Sequence, residues 1–166
     1  MIAVSTQSRL ATTKPAIFQA LAAGTVAVAL LDATDGVVFY WLTAHKNPIQ
    51  VLQYIASGAF GAAAYDGGLA TAFAGLLLHV GISAVVAGAF VAAYLRWPAV
   101  REHAIALGLV YGAAVWAFMN LAVLPHTGAA GPISSLQAAN GLIGHALFVG
   151  LPAALASRRF IGASAA

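Results

Sequence analysis

Four apolar stretches take up most of this chain, at about residues 16–43, 69–95, 104–124 and 135–157. Each has the ~20 residues that an α-helix needs to cross ~30 Å of hydrocarbon. A helix suits such a solvent because it satisfies its own backbone hydrogen bonds. The segments between the stretches cannot supply the polar surface of a water-soluble domain. Only 7% of the 166 residues are charged and mean hydropathy is +0.93, whereas soluble domains carry about 25% charged residues. The chain is therefore expected to be all-α, a single polytopic membrane domain of four transmembrane helices in a bundle, with the lipid bilayer as its solvent. The opening residues have a long polar part, and the apolar run after them is too long for a signal h-region, so the first span is expected to be retained. Pro15 suits the first turn of the first helix. Pro98 and Pro125 are expected to stop the second and third, and Ser134 and Ser135 can cap the fourth.

The cationic residues set an orientation. Arg9 and Lys14 precede the first span, Arg96 and Arg101 separate the second and third, and Arg158 and Arg159 follow the fourth. Lys46 alone of the seven Lys and Arg lies in the other two loops. Positive charge is enriched on the cytoplasmic side of membrane proteins, so both termini are expected inside and the loops around His45 and His126 outside. So few cations offer no patch for a nucleic acid. The absence of cysteine excludes disulfides, iron–sulfur clusters and thiolate metal sites. No phosphate loop, G-x-S-x-G or H-E-x-x-H motif occurs, so no soluble-enzyme signature is present.

The first outer loop, "KNPIQVLQYIASGAFGAAAYDGG", is too short for a domain and too apolar for plain loop. Gln50, Gln53 and Ser57 share one side at helical spacing, with Ile49, Leu52, Ile55 and Ala56 largely opposite. This predicts a short helix at about 48–63, lying in or dipping into the outer interface. Gly67 and Gly68 then turn the chain, and Asp66 is expected to cap the second span. Tyr40, Trp41, Tyr65, Tyr94 and Trp97 fall near the expected interfaces, where amphipathic rings anchor. Small residues at four-residue spacing, Ala84, Gly88 and Ala92 and then Gly108 and Gly112, allow close helix approach within a bundle or an oligomer. The last residues, "IGASAA", read as a frayed tail.

Against this apolar background, "ALLDATDGVVFY" places two of the four acidic residues, Asp32 and Asp35, inside the first span. At ~1.5 Å per residue they lie roughly 16 and 12 Å from its outer end, while His79 and His145 lie roughly 15 Å below the starts of spans two and four. Three helices thus present ionisable groups at one depth. An aspartate at a helix centre costs about 2.5–3.5 kcal/mol on insertion scales, so it must face the interior and find a partner or stay protonated. Asp32 and Asp35 can share a face with Thr25, Val28 and Phe39. Ser83 is expected to help fix the His79 ring, Asn120 and Asn140 to support the set, and Gly141 and Gly144 to leave room beside His145 for a helix or a flat ligand.

Three readings compete for this set. It can be an Asp–His network that pins helix register without a ligand. It can handle protons, since burial brings carboxyl and imidazole groups towards titration near neutrality. Or it can hold a cofactor: a metal ion on His79, His145 and Asp32, or a haem b on the two imidazoles. His103 follows Arg101 and Glu102 in a cytoplasmic loop and reads as solvated; His45 and His126 read as outer-surface groups.

The stretches "LLLHVGISAVVAGAFVAAYLRWPAVREHAIALGLVYGAAVWAFMNLAVLP" and "NGLIGHALFVGLPAALASRR" resemble small bacterial inner-membrane proteins of the YagU type. The matching features are His79 in an apolar helix ending at Tyr94, Pro98 in a basic turn, Gly108 in a helix ending at Pro125, and Gly144-His145 in a helix ending at Arg158 and Arg159. The likeness covers about the C-terminal 90 residues and leaves Asp32 and Asp35 outside it. It implies a bacterial inner-membrane location and no defined activity.

The expected function is accordingly that of a small inner-membrane protein with a proton- or metal-handling centre at Asp32, Asp35, His79 and His145. The alternatives are an accessory or scaffold subunit of a larger membrane complex and a bis-histidine haem protein; a transport role would call for a homo-oligomer. Because the chain lacks cysteine, orientation is directly testable with single-cysteine variants. A membrane-impermeant maleimide applied to intact cells is expected to label His45→Cys and His126→Cys but not Arg101→Cys or Arg159→Cys; the reverse pattern would invert the topology.

Overall fold

The computed structural model describes residues 14–162; Arg9 and most of the C-terminal tail lie outside them. Helix α1 spans Lys14–Ala44, α2 Pro48–Phe60, α3 Gly68–Arg96, and α4 the single turn Pro98–Glu102. Helix α5 runs Ala104–His126 and α6 Ser135–Gly162. No strand occurs among the described residues. Helices α1, α3, α5 and α6 are long and apolar enough to cross a membrane, each a little longer than its expected span. Large apolar side chains cover their outer faces, among them Leu30, Leu69, Val85, Val110 and Leu121. A continuous surface of that kind suits hydrocarbon, not water.

Contacts fix the arrangement. Gly24 of α1 faces Ala87 of α3 on one side and Ala153 and Ala156 of α6 on the other, and α5 packs mainly on α6. Residue pairing runs in opposite senses along each of these contacts: His79 meets Ala29, and Gly112 meets His145 where Gly108 meets Ala154. So α1 and α5 run one way and α3 and α6 the other. One end of the molecule carries α2 and the loop 127–134; the opposite end carries α4. The half towards α4 is filled by Ala20, Val28, Phe90, Val91, Tyr94, Ala104, Val149, Ala153, Ala154 and Ile161.

The helix ends follow local chemistry. Asn47 and Ser134 each accept from the backbone N–H three residues on, while Gln50 and Gln137 reach back to complete capping boxes. Pro98 stands at the first turn of α4, where its missing N–H costs nothing. Arg101 Nη1 donates to the carbonyls of Tyr94 and Leu95 at 3.1 and 3.0 Å, placing a cation at the C-terminus of α3. Pro125 does not stop α5 outright. The helix first widens into a π-type turn at Met119–Val123, with Leu124 N–H donating to Met119 O, then tightens through Leu124–His126. A second π-type turn, His145–Gly150, precedes Pro152 in α6, with Leu151 N–H donating to Ala146 O. A proline leaves a carbonyl in the preceding turn without its donor, and a widened turn is one way to absorb that loss.

Four expectations need correction. Asp66 is exposed and its side chain does not cap α3; the start of α3 is held by Gln53 Nε2 donating to Gly68 O at 3.1 Å and Thr71 Oγ1 donating to Ala64 O at 2.6 Å. The polar side of α2 therefore turns inward, with Gln53 and Ser57 buried, because the chain reversal before α3 leaves carbonyls that need donors. Tyr94 is a core residue, not an interfacial anchor, whereas Trp41, Tyr65 and Trp97 are exposed. The buried stripe of α3 is Gly75, His79, Ser83, Ala87, Phe90 and Tyr94, not Ala84, Gly88 and Ala92, of which Ala92 is exposed.

The Gly108 and Gly112 expectation fits better. A Cβ on Gly112 would run into the backbone of His145 and Gly150, and one on Gly150 into that of Gly108 and Gly112. Gly112→Val and Gly150→Val are expected to lose about 1–3 kcal/mol or more through overpacking. Gly81→Ala, whose added methyl meets open space, should gain up to ~1 kcal/mol from helix propensity. Thermal unfolding in mild detergent, followed by circular dichroism, checks both; equal melting points for all three variants would contradict the packing account.

Candidate intramembrane cavity

Above the apolar half, the helices part around a cavity of ≈ 390 Å³. Its boundary with the core is made by Val28, Val86, Val115 and Val149. The polar residues singled out from the sequence, Asp32, Asp35, His79, Ser83, Asn120, Asn140 and His145, all line it. This follows from their helical spacing. Asp32 and Asp35 continue the stripe of buried Val28, and His79 and Ser83 lie on the buried stripe of α3. Asn140, Gly141, Gly144 and His145 form the inward side of α6, with both glycines buried.

The closest approach of ionisable groups joins two helices: His145 Nδ1 lies 3.5 Å from Asp32 Oδ1, with the two side chains 22% and 21% exposed. His145 Nδ1 is itself buried and makes no hydrogen bond, so this approach is an electrostatic contact without hydrogen-bond geometry. One turn nearer the α2 end, Asn140 Nδ2 donates to Asp35 Oδ2 at 3.0 Å. Asp35 Oδ1 accepts no hydrogen bond. Asp35, like Asp32, stands within electrostatic reach of His145.

His79 behaves differently. Its Nε2 lies 3.0 Å from the Ala29 carbonyl; a carbonyl only accepts, so Nε2 carries the hydrogen. Ser83 does not fix the ring: its hydroxyl donates to the His79 carbonyl at 2.8 Å. Asn120 Nδ2 donates to the Trp116 carbonyl of its own helix at 3.0 Å. The room expected beside Gly141 and Gly144 is occupied, by the Trp116 indole and the Asp35 carboxylate respectively.

Towards the α2 end the cavity adjoins a second chamber of ≈ 690 Å³, which includes Lys46, Gln50 and the loop 128–133. The two share Tyr40, Tyr54, Trp116, Asn120 and Gln137. Gln137 Nε2 donates to Tyr40 Oη at 3.3 Å, and Tyr54 Oη to Ala129 O at 3.5 Å. Burial pushes the Tyr54 phenol up, with Tyr40 and Tyr65 adding to the shift, so it stays a hydroxyl donor at neutral pH. Sequence reasoning missed Tyr40, Tyr54 and Gln137 as lining residues. From the sequence Tyr40 reads as an interfacial anchor, and the Gln137–Asn140–His145 spacing is the available signal for Gln137.

His45 and His126 are exposed, and so is His103, 4.0 Å from Glu102; none belongs to the cavity. Among the described residues, no group of three or more His, Asp or Glu gathers as a metal cage. Ligation of haem iron through His79 Nε2 would require that nitrogen to give up Ala29. Comparison of the chain with protein-family models, curated proteins and solved structures finds no match, so the likeness to the YagU type stands on the sequence motifs alone.

The Asn140–Asp35 contact gives a measurable coupling. Hydrogen bonds to charged groups contribute about 1.5–3 kcal/mol. A double-mutant cycle of Asp35→Ala and Asn140→Ala, read from unfolding in detergent, is expected to show an interaction of about 1–3 kcal/mol. Additive effects would mean that the two side chains do not meet in the folded protein.

Proposed function

We propose that this is a small integral membrane protein whose Asp32–His145 pair takes up and releases protons inside an outward-facing cavity. The observation that carries the reading is the 3.5 Å approach of a carboxylate and an imidazole from two different helices, at the wall of a largely apolar cavity. Burying either group alone as an ion is costly, and a proton exchanged between solvent and the pair changes the net charge of the pair by one. The distribution of Lys and Arg supports the α2 end as the outer face and the α4 end as the cytoplasmic one; the resemblance to the YagU type suggests a bacterial inner membrane.

The titratable groups around the pair come from three helices. They are Asp35 and Tyr40 on α1, Tyr54 on α2 and His79 on α3. Helix α5 contributes Trp116, Met119 and Asn120 to the lining, none of which titrates. The apolar cluster fills the opposite half of the bundle. That favours one-sided access, hence a proton-binding site and not an open proton channel. The metal, haem and scaffold readings draw no comparable support from a particular contact.

The test is ¹⁵N-histidine NMR of the protein in nanodiscs across mildly acidic to mildly alkaline pH. The His145 ring signals, assigned with His145→Gln, are expected to titrate, and Asp32→Asn is expected to displace that titration. His103→Gln should remove only the signal of an exposed imidazole. A His145 signal that stays constant across the range, or one indifferent to Asp32→Asn, sinks the proposal.

A further inference from the structure

The cavity is lopsided in its chemistry. Two carboxylates, Asp32 and Asp35, line it, and no lysine or arginine does. Asp35 has one oxygen on Asn140 and the other without a donor. Phe39, Tyr40, Tyr54 and Trp116 add aromatic rings to the same lining, and most of the remaining wall is aliphatic. The volume of ≈ 390 Å³ falls within the ~300–1,000 Å³ of small-molecule sites.

We infer that the cavity binds a small organic cation, an amine or quaternary ammonium group on an apolar body, with the cationic centre at Asp35 and Asp32 and the body against Trp116 and the tyrosines. Each part of the lining matches such a ligand. Aromatic faces attract cations through the ring quadrupole, and the unfilled carboxylate oxygen supplies an acceptor that a desolvated ammonium requires. An anion would meet two carboxylates with no lysine or arginine in the lining to offset them. A neutral aromatic would fill the volume and leave Asp35 still without its donor. The chamber at the α2 end, which shares Tyr40, Tyr54 and Gln137 with the cavity, offers the route of entry. This inference rests on the proton-site reading, because the same carboxylates hold either a proton or the cation, so the two compete.

Benzyltrimethylammonium serves as the probe, with benzoate and benzyl alcohol as the anionic and neutral controls. In a Trp41→Phe/Trp97→Phe background Trp116 is the remaining tryptophan of the three, and its fluorescence reports occupancy; calorimetry on the wild-type protein in nanodiscs gives an independent affinity. Saturable binding of the cation is expected, tightening from acidic to neutral pH, with no saturable binding of either control. Asp35→Asn is expected to weaken binding roughly 30-fold or more, the loss typical of truncating one partner of a buried charge pair. Asp35→Glu, which keeps the charge, should retain most of it and guards against a folding artefact. Equal binding of a control, an unchanged affinity in Asp35→Asn, or no cation binding by the wild type overturns the inference. If His145 titrates as described above while the wild type takes up no benzyltrimethylammonium, the cation inference falls alone. A silent His145 as well takes the proton reading with it.

Discussion

The close approach of α5 to α6 at Gly108, Gly112 and Gly150 is the contact on which the rest of the arrangement depends. The long helices carry apolar side chains on their outsides as well as between them, so their association rests on close packing and polar contacts, as it does between helices in lipid. The glycines bring backbone against backbone. They do so at the widened turn His145–Gly150 that precedes Pro152. One seam thereby sets how α6 lies on α5, and so how His145 is presented towards Asp32 of α1.

From that seam the bundle divides into unlike halves. Towards α4, small and branched side chains interlock around Phe90 and Tyr94, and Tyr111 donates to the Val86 carbonyl at 2.7 Å, closing α5 onto α3. Towards α2, the helices separate and the polar groups find one another across the gap. The π-type turns at Met119–Val123 and His145–Gly150 contribute lining residues: Met119, Asn120 and Val123 from one, His145 and Val149 from the other. Widened turns of this kind often mark functional positions. Here they coincide with a proline two residues beyond the turn, which gives them a local cause as well as a consequence.

Much of this was legible in the residues alone. Run length placed the four long helices to within a few residues, and helical spacing placed Asp32, Asp35, His79, Ser83 and Asn140 on inward stripes. What the spacing could not reveal was pairing. Asp35 meets Asn140 and not a histidine, His79 turns to a backbone carbonyl, and Ser83 serves the backbone and not the ring. The inward turn of Gln53 and Ser57 was also hidden, since the amphipathic pattern of α2 is compatible with either face being covered until the carbonyls at the start of α3 are located.

By itself, then, the sequence determined the number of long apolar helices and how far along them the ionisable groups lie. These follow from transfer energies and a constant rise per residue, both local properties. Only the tertiary structure decided which helix neighbours which, that α1 stands between α3 and α6, and that Asp32 meets His145 at the wall of a cavity. Those outcomes depend on rotations about helix axes, set by glycine contacts and proline-widened turns far apart in the chain, and no local periodicity encodes them.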